Sequence, residues 1–186
     1  MINHLFNQDI FKIISLFNLS PGSRFNRKEI KDKINLNNLP LDNALSKLIS
    51  SNILTKKGNY YSINFENEYA KILLNMVSKQ YKLLKEIPFN IYLLLLDLIY
   101  YISKFKGLEA YLFGSYSKLI YRENSDIDIA VLGNIDKKLL QKFIIKLEKD
   151  YQKNIEVHFF DKKEFYKNKN DPLVKDILRN GIKLLS

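Results

Sequence analysis

The sequence contains no cysteine among its 186 residues. Disulfide bonds, thiol nucleophiles, iron–sulfur clusters and thiolate zinc sites are therefore excluded. Its two histidines, His4 and His158, lie far apart, and neither has a visible serine or aspartate partner. A histidine zinc site is not expected from so sparse a set.

Long apolar runs are also scarce. The longest, from Ile91 to Ile102, contains Asp97 and is too short to span a bilayer. The opening residues MINHLFNQDIFKII have neither a basic n-region nor a small-residue cleavage site, so a secretory signal is not expected. Together these features predict a soluble cytoplasmic protein with no membrane partner.

Positive charge, in contrast, is abundant. Thirty Lys and Arg residues against twenty Asp and Glu give a net charge of +10, and 46% of the residues are hydrophobic. The chain can therefore bury a core, and its basicity favours polyanionic partners such as nucleic acid or nucleotides. Residues 1–86 hold 13 basic and 7 acidic side chains, so the excess charge leans toward the N-terminal part.

The N-terminal part shows a series of short helical patterns. Apolar residues at helical spacing predict a first helix over residues 8–19, and Asn26 with Glu29 has the spacing of a capping box that begins a second. Pro40 suits the first turn of a third helix, LDNALSKLISSN. The following ILTKKGNYYSIN predicts a β-hairpin.

Three short helices followed by a hairpin resemble the winged helix-turn-helix domains that bind DNA, and this predicts such a domain over residues 1–64. The resemblance implies that the third helix enters the major groove while the hairpin reaches phosphate. The alternative is a module for packing or dimerisation. The residues that would contact nucleic acid are Arg27, Lys28, Asn43, Lys47, Lys56 and Lys57.

A second domain is predicted to follow. Residues 65–87 have the pattern of a connector helix that Pro88 ends, and FNIYLLLLDLIYYISKFKG then predicts a helix that is apolar nearly all round and therefore buried. We expect the second core to occupy residues 88–186.

The stretch LEAYLFGSYSKLIYRENSDIDIAVLG contains the most informative pattern. It predicts a strand, a Gly-Ser turn, a short helix and a second strand, on which Asp126 and Asp128 would share one face. Carboxylates so placed repel each other unless a cation lies between them, and Mg²⁺ prefers such oxygen ligands together with phosphates. Gly114 and Ser115 at the end of the first strand would let backbone N–H groups and a hydroxyl approach a phosphate.

The arrangement G-S-x10-D-x-D after a strand resembles the polymerase-beta-like nucleotidyltransferase superfamily, and most closely its minimal nucleotidyltransferases. Their usual pattern is G-S-x-A-x-G-x5-S-D-I-D-L. Ser117 and Leu119 depart from it at the alanine and the second glycine. The residues that match are Gly114, Ser115, Ser125, Asp126, Ile127 and Asp128, with Ile129 a conservative match.

The resemblance implies a third metal-binding carboxylate on a later strand. The run NIEVHFF offers Glu156, whereas Asp161 is the fallback and is more typical of a helix cap. His158 would share a face with Glu156 but is not included in the catalytic set.

The implied activity is Mg²⁺-dependent nucleotidyl transfer with two metal ions and an NTP, for which ATP is the expected nucleotide. Asp126, Asp128 and Glu156 would be the catalytic and metal-binding residues. The acceptor would be a hydroxyl of nucleic acid or of a protein such as a toxin partner. The residues implied to bind the nucleotide are Gly114, Ser115, Lys118 and Arg122.

The predicted fold class is α+β, with a mixed-sheet nucleotidyltransferase domain preceded by a small, mostly α winged-helix domain. The alternative function is a DNA-binding regulator whose second domain senses nucleotide or is inactive. Leu119 bears on this choice, because a bulky side chain there could reshape the turn after the phosphate loop.

Overall fold

The computed structural model describes residues 7–186, so His4 lies outside the described residues. The described chain divides into two compact units, one that ends at Lys82 and one that spans Leu83–Ser186. The division falls near the C-terminal end of the helix predicted as a connector over residues 65–87. None of the helices described is both long and apolar enough to cross a bilayer.

The first unit consists of short helices and a small antiparallel sheet of strand order β1-β3-β2. The predicted helices and hairpin are present, whereas the two-residue strand β1 was not predicted. The predicted winged-helix identity of this unit stays a prediction. The elements are α1 (Gln8–Leu19), β1 (Phe25–Asn26), α2 (Arg27–Ile34), α3 (Asn38–Ser50), β2 (Leu54–Lys57), β3 (Tyr60–Ile63) and α4 (Glu68–Leu83).

The capping box predicted for α2 is present. The Asn26 side chain accepts from the backbone N–H of Glu29 at 2.9 Å, and the Glu29 carboxylate accepts from the N–H of Asn26 at 2.7 Å. Each contact satisfies a backbone donor that the first turn would otherwise leave unpaired, so the start of α2 is fixed by local sequence.

The second unit is a mixed four-stranded sheet with order β6-β5-β4-β7, in which β5 and β6 are parallel and the other pairs are antiparallel. This agrees with the predicted mixed α+β class. Its elements are α5 (Phe89–Ile102), β4 (Glu109–Phe113), α6 (Gly114–Lys118), β5 (Ile127–Leu132), α7 (Lys137–Tyr151), β6 (Ile155–Phe160), α8 (Lys162–Lys167), α9 (Pro172–Asn180) and β7 (Ile182–Leu185).

One face of this sheet is partly covered by the C-terminal helices. Tyr111, Phe113, Ala130 and Leu132 from β4 and β5 form a cluster with residues of α8 and α9. The alternate residues of β5 point to the opposite face and are also buried, which explains the nearly continuous apolar character of this strand. Asp128 lies on the same covered face, near the start of β5 and two residues before Ala130 of the cluster.

The buried carboxylate of Glu109 lies at the other end of the covered face, where it contacts residues of α8 and β7. Glu109 accepts from Lys162 at 2.5 Å, from Lys183 at 2.8 Å and from the Tyr166 hydroxyl at 2.7 Å. Burial would raise the pKa of Glu109, but these three hydrogen bonds outweigh it and lower the pKa to about 2. The ionised form is therefore the one that stabilises the fold.

We expect the free energy of unfolding to fall as the pH drops from about 4.5 toward about 2. Glu109 has a lower pKa in the folded chain than in the unfolded one, so its contribution is complete above pH 4.5 and is lost at acid pH. At neutral pH, Glu109→Gln should destabilise the protein by about 3 kcal/mol, measured by urea denaturation. The gap between wild type and variant should close near pH 2. A constant gap, or an equal loss in the exposed control Asp32→Asn, would contradict this assignment.

Candidate nucleotidyltransferase site

The candidate site begins at the junction of β4 and α6. Gly114 follows the fully buried strand β4 directly and has φ +66°, in the region that favours glycine. A Cβ atom at this position would lie 1.9 Å from Oδ2 of Asp128 and 2.7 Å from its Cγ. The carboxylate of Asp128 thus occupies the space that any larger residue at position 114 would fill.

Asp128 is the second residue of β5, where it pairs with Phe113 on one side and with Glu156 on the other. It also accepts a hydrogen bond from the backbone N–H of Ser115. Strand register therefore brings together two of the three predicted carboxylates, and the β4–α6 turn fixes one of them. Asp126 was expected within the strand, but β5 begins at Ile127, so Asp126 immediately precedes it.

The site concentrates negative charge around a partly buried group. Burial raises the pKa of Asp128 above its ordinary value, and the charges of Glu156 and Asp126 raise it further. His158 and the backbone N–H of Ser115 act in the opposite direction. Asp128 thus feels the charge of each of the other two predicted carboxylates, and a bound cation would relieve that repulsion.

Glu156 is exposed, with 60% of its side chain accessible. Its Oε1 lies 3.0 Å from Nε2 of His158, the next residue on the same face of β6. The fallback ligand Asp161 instead caps α8, because its side chain accepts from the N–H groups of Lys163 and Glu164.

The donor set can be tested for its fit to Mg²⁺. Among residues 7–186, no three histidine, aspartate or glutamate side chains are placed to hold a metal ion as they lie. The chemistry fits nonetheless, because the interacting groups are carboxylates and Gly114 leaves room for one of them at the end of β4. Asp126, Asp128 and Glu156 are the residues that could hold such an ion.

Two residues predicted to bind the nucleotide, Lys118 and Arg122, have protein partners in the structure. The ammonium of Lys118 lies 2.8 Å from Oδ2 of Asp176, an ion pair that joins α6 to α9. The backbone N–H of Arg122 donates to the Ser125 hydroxyl, and its side chain is exposed. Lys118 therefore links α6 to α9 in this structure, and its contact with a nucleotide stays a prediction.

Two residues that support the turn between β4 and α6 were missed by sequence reasoning. Lys85 donates from Nζ to the backbone carbonyl of Ser117 at 2.5 Å. The fully buried Ser117 hydroxyl donates to the carbonyl of Gly114 at 3.1 Å. No local signal identifies Lys85, because it precedes its acceptor by 32 positions.

The residues predicted to contact nucleic acid lie in the first unit. Arg27 is engaged there by Asp42, through contacts of 2.6 and 2.8 Å that join α2 to α3. Arg27 thus links two helices, and its contact with nucleic acid stays a prediction. The remaining predicted residues are exposed on α2, α3 and β2: Lys28, Asn43, Lys47, Lys56 and Lys57.

Residues 100–184 match a family model described as a nucleotidyltransferase domain. This part of the chain is similar to nucleotidyltransferases. The matched segment runs from within α5 to within β7 and contains Gly114, Asp128 and Glu156. The predicted resemblance is confirmed for residues 100–184 at the level of the domain family, whereas the roles of the individual residues stay predictions. No curated protein matches the chain significantly.

Leu119 occupies the position of the second glycine in the nucleotidyltransferase pattern. It ends α6 with φ 57° and ψ 31°, the left-handed conformation that glycine adopts readily. Its side chain is 49% exposed. The turn therefore keeps a conformation that suits glycine, and the leucine side chain projects outward rather than filling the turn.

We expect Leu119→Gly to raise the free energy of unfolding by up to about 1 kcal/mol. Relief of left-handed strain, about 1–2 kcal/mol, exceeds the greater unfolded-state entropy of glycine, about 0.5–1 kcal/mol. Leu119→Ala is the matched control, since it removes the exposed side chain but keeps the strained Cβ. Chemical denaturation compares the two, and an alanine variant more stable than the glycine variant would contradict the argument.

Proposed function

We propose that the second unit is a Mg²⁺-dependent nucleotidyltransferase that moves a nucleoside monophosphate from an NTP to a hydroxyl on protein or nucleic acid. The observation that carries this proposal is the position of Asp128, enclosed by Gly114 and the Ser115 N–H within the segment that matches the family. ATP is the nucleotide that we expect.

Each group at the site has a separate role in this proposal. When bound, two Mg²⁺ ions neutralise phosphate charge and activate the acceptor hydroxyl, and Asp126, Asp128 and Glu156 would hold them. The N–H of Ser115 already donates to Asp128, so its hydroxyl is the group that reaches the β- or γ-phosphate.

In the transfer step, the acceptor oxygen forms a bond to the α-phosphorus, and the bond from that phosphorus to the oxygen bridging the β-phosphate breaks. Pyrophosphate leaves with the electron pair of that bond. Glu156 would hold the ion beside the acceptor oxygen, and the acceptor proton leaves to solvent water, to which this side chain is 60% exposed. The exposure of Glu156 suits an acceptor that arrives from solvent on a larger molecule.

The first test incubates the full chain with Mg²⁺ and each radiolabelled NTP, in the presence of RNA or cell extract. We expect labelled acceptor with wild type and a loss of about 100-fold or more in the double variant Asp126→Asn, Asp128→Asn, because the metal ligands lose their charge. Glu164→Gln, an exposed carboxylate on α8, is the matched control and should retain activity.

Transfer that survives in the double variant would overturn the proposal. An absence of labelled product with every NTP, together with Mg²⁺-dependent nucleotide binding by calorimetry, would favour the alternative of a nucleotide-sensing regulator. An absence of binding would contradict both functions of this unit.

A second candidate function, DNA binding, is favoured by the first unit. Its element order α1-β1-α2-α3-β2-β3, with β1 paired to β3, is compatible with a winged helix-turn-helix module. Lys47 on α3 is exposed, as are Lys56 and Lys57 on β2. We propose that these three lysines contact the phosphates of duplex DNA.

The DNA-binding proposal predicts that affinity for duplex DNA falls steeply with salt. Replacing Lys47, Lys56 and Lys57 by alanine should reduce the slope of log K against log salt by about 3, because each phosphate contact releases about one counterion. Fluorescence anisotropy measures both quantities. The matched control replaces Lys142, Lys146 and Lys149, three exposed lysines of α7, and should retain the wild-type slope. Equal effects in the two variants would indicate general charge attraction and contradict the proposal.

A further inference from the structure

His158 makes a specific contact that the proposed reaction leaves unexplained. It follows Glu156 by two positions on β6, so both side chains project from the same face of the sheet. Nε2 of His158 lies 3.0 Å from Oε1 of Glu156, within hydrogen-bond distance. This contact uses one of the two carboxylate oxygens.

The imidazole ring is itself held from a second side. It packs edge-to-face on Phe113, with ring centroids 5.3 Å apart and an interplanar angle of 73°. Phe113 is buried, directly precedes Gly114 and pairs with Asp128 across the sheet. The contact with Phe113 therefore holds the His158 ring at the end of β4, where that strand pairs with Asp128.

The contact between Glu156 and His158 is not explained by the stability of the fold. The Glu156 side chain is 60% exposed and that of His158 is 32% exposed, and contacts so open to water contribute little to stability. A free glutamate side chain, however, loses rotamer entropy when it is fixed in one orientation. A neighbour that restricts Glu156 in advance removes part of that loss from any later binding event.

We infer that His158 is a positioning residue: it donates from Nε2 to Oε1 of Glu156 and so orients the carboxylate that would bind a divalent cation together with Asp126 and Asp128. The inference rests on the proposed function. Partners that orient a metal-binding side chain in this way commonly change metal affinity by about 10–100-fold.

The test measures Mn²⁺ binding to the full chain by electron paramagnetic resonance. His158→Phe keeps an aromatic ring against Phe113 but removes the donor, and we expect its Mn²⁺ affinity to fall by about 10-fold or more. His158→Gln places an amide donor within similar reach of Glu156 and should remain within about 3-fold of wild type. Circular dichroism and thermal unfolding check that both variants fold.

A double-mutant cycle with Glu156→Gln sharpens the result. If His158 acts only through Glu156, adding His158→Phe to Glu156→Gln should produce no further loss of Mn²⁺ affinity. Additive losses would overturn the inference, because they mean that His158 acts independently. Equal losses in the Phe and Gln variants would also overturn it, since the imidazole itself would then be the ligand.

The test separates this inference from the proposed function. If wild type binds Mn²⁺, the Asp126→Asn, Asp128→Asn variant does not, and His158→Phe binds as wild type, only the positioning role is wrong. If wild type takes up no Mn²⁺, the metal-dependent function is wrong and the inference fails with it.

Discussion

The contact between Gly114 and Asp128 is the constraint on which the candidate site depends. The carboxylate lies where a side chain at position 114 would be, so the end of β4 and the start of β5 can approach only if residue 114 lacks a Cβ. The same closeness lets the Ser115 N–H reach Asp128. One missing methyl group thus sets the position of a charged ligand, the direction of a backbone donor and the beginning of α6.

The sheet extends this constraint to the remaining groups. Because β5 and β6 are parallel and in register, Glu156 lies beside Asp128 without any loop to place it. Like charges on neighbouring strands weaken a sheet, and here burial intensifies the effect on Asp128. A fold that keeps such an arrangement is locally suboptimal for stability, as sites built for binding often are.

Local sequence signals predicted much of the fold. The capping box of Asn26 and Glu29, the buried helix α5 and the strand–turn–helix–strand around Gly114 all follow from nearest neighbours and periodicity. The resemblance predicted that Asp126, Asp128 and Glu156 belong to one site. It did not give the limits of the strands, since Asp126 was expected within β5 but immediately precedes it.

Long-range partners account for what local patterns did not predict. Lys118 pairs with Asp176, which lies 58 positions away, and Arg27 pairs with Asp42 on a neighbouring helix. A lysine or arginine has the same local pattern whether it faces a phosphate or a distant carboxylate. The brief strand β1 was also missed, because two residues carry no periodicity and are defined only by their partner β3.

The parallel pairing of β5 and β6 also bears on how such a domain can change over evolutionary time. Parallel neighbours require a crossover, and here α7 provides it over Lys137–Tyr151. Because the pairing of β5 with β6 aligns Asp128 with Glu156, the crossover helix α7 fixes neither carboxylate directly. Descendants of this sequence could lengthen, shorten or redecorate that helix, and so acquire new surfaces, while inheriting the acidic centre unaltered.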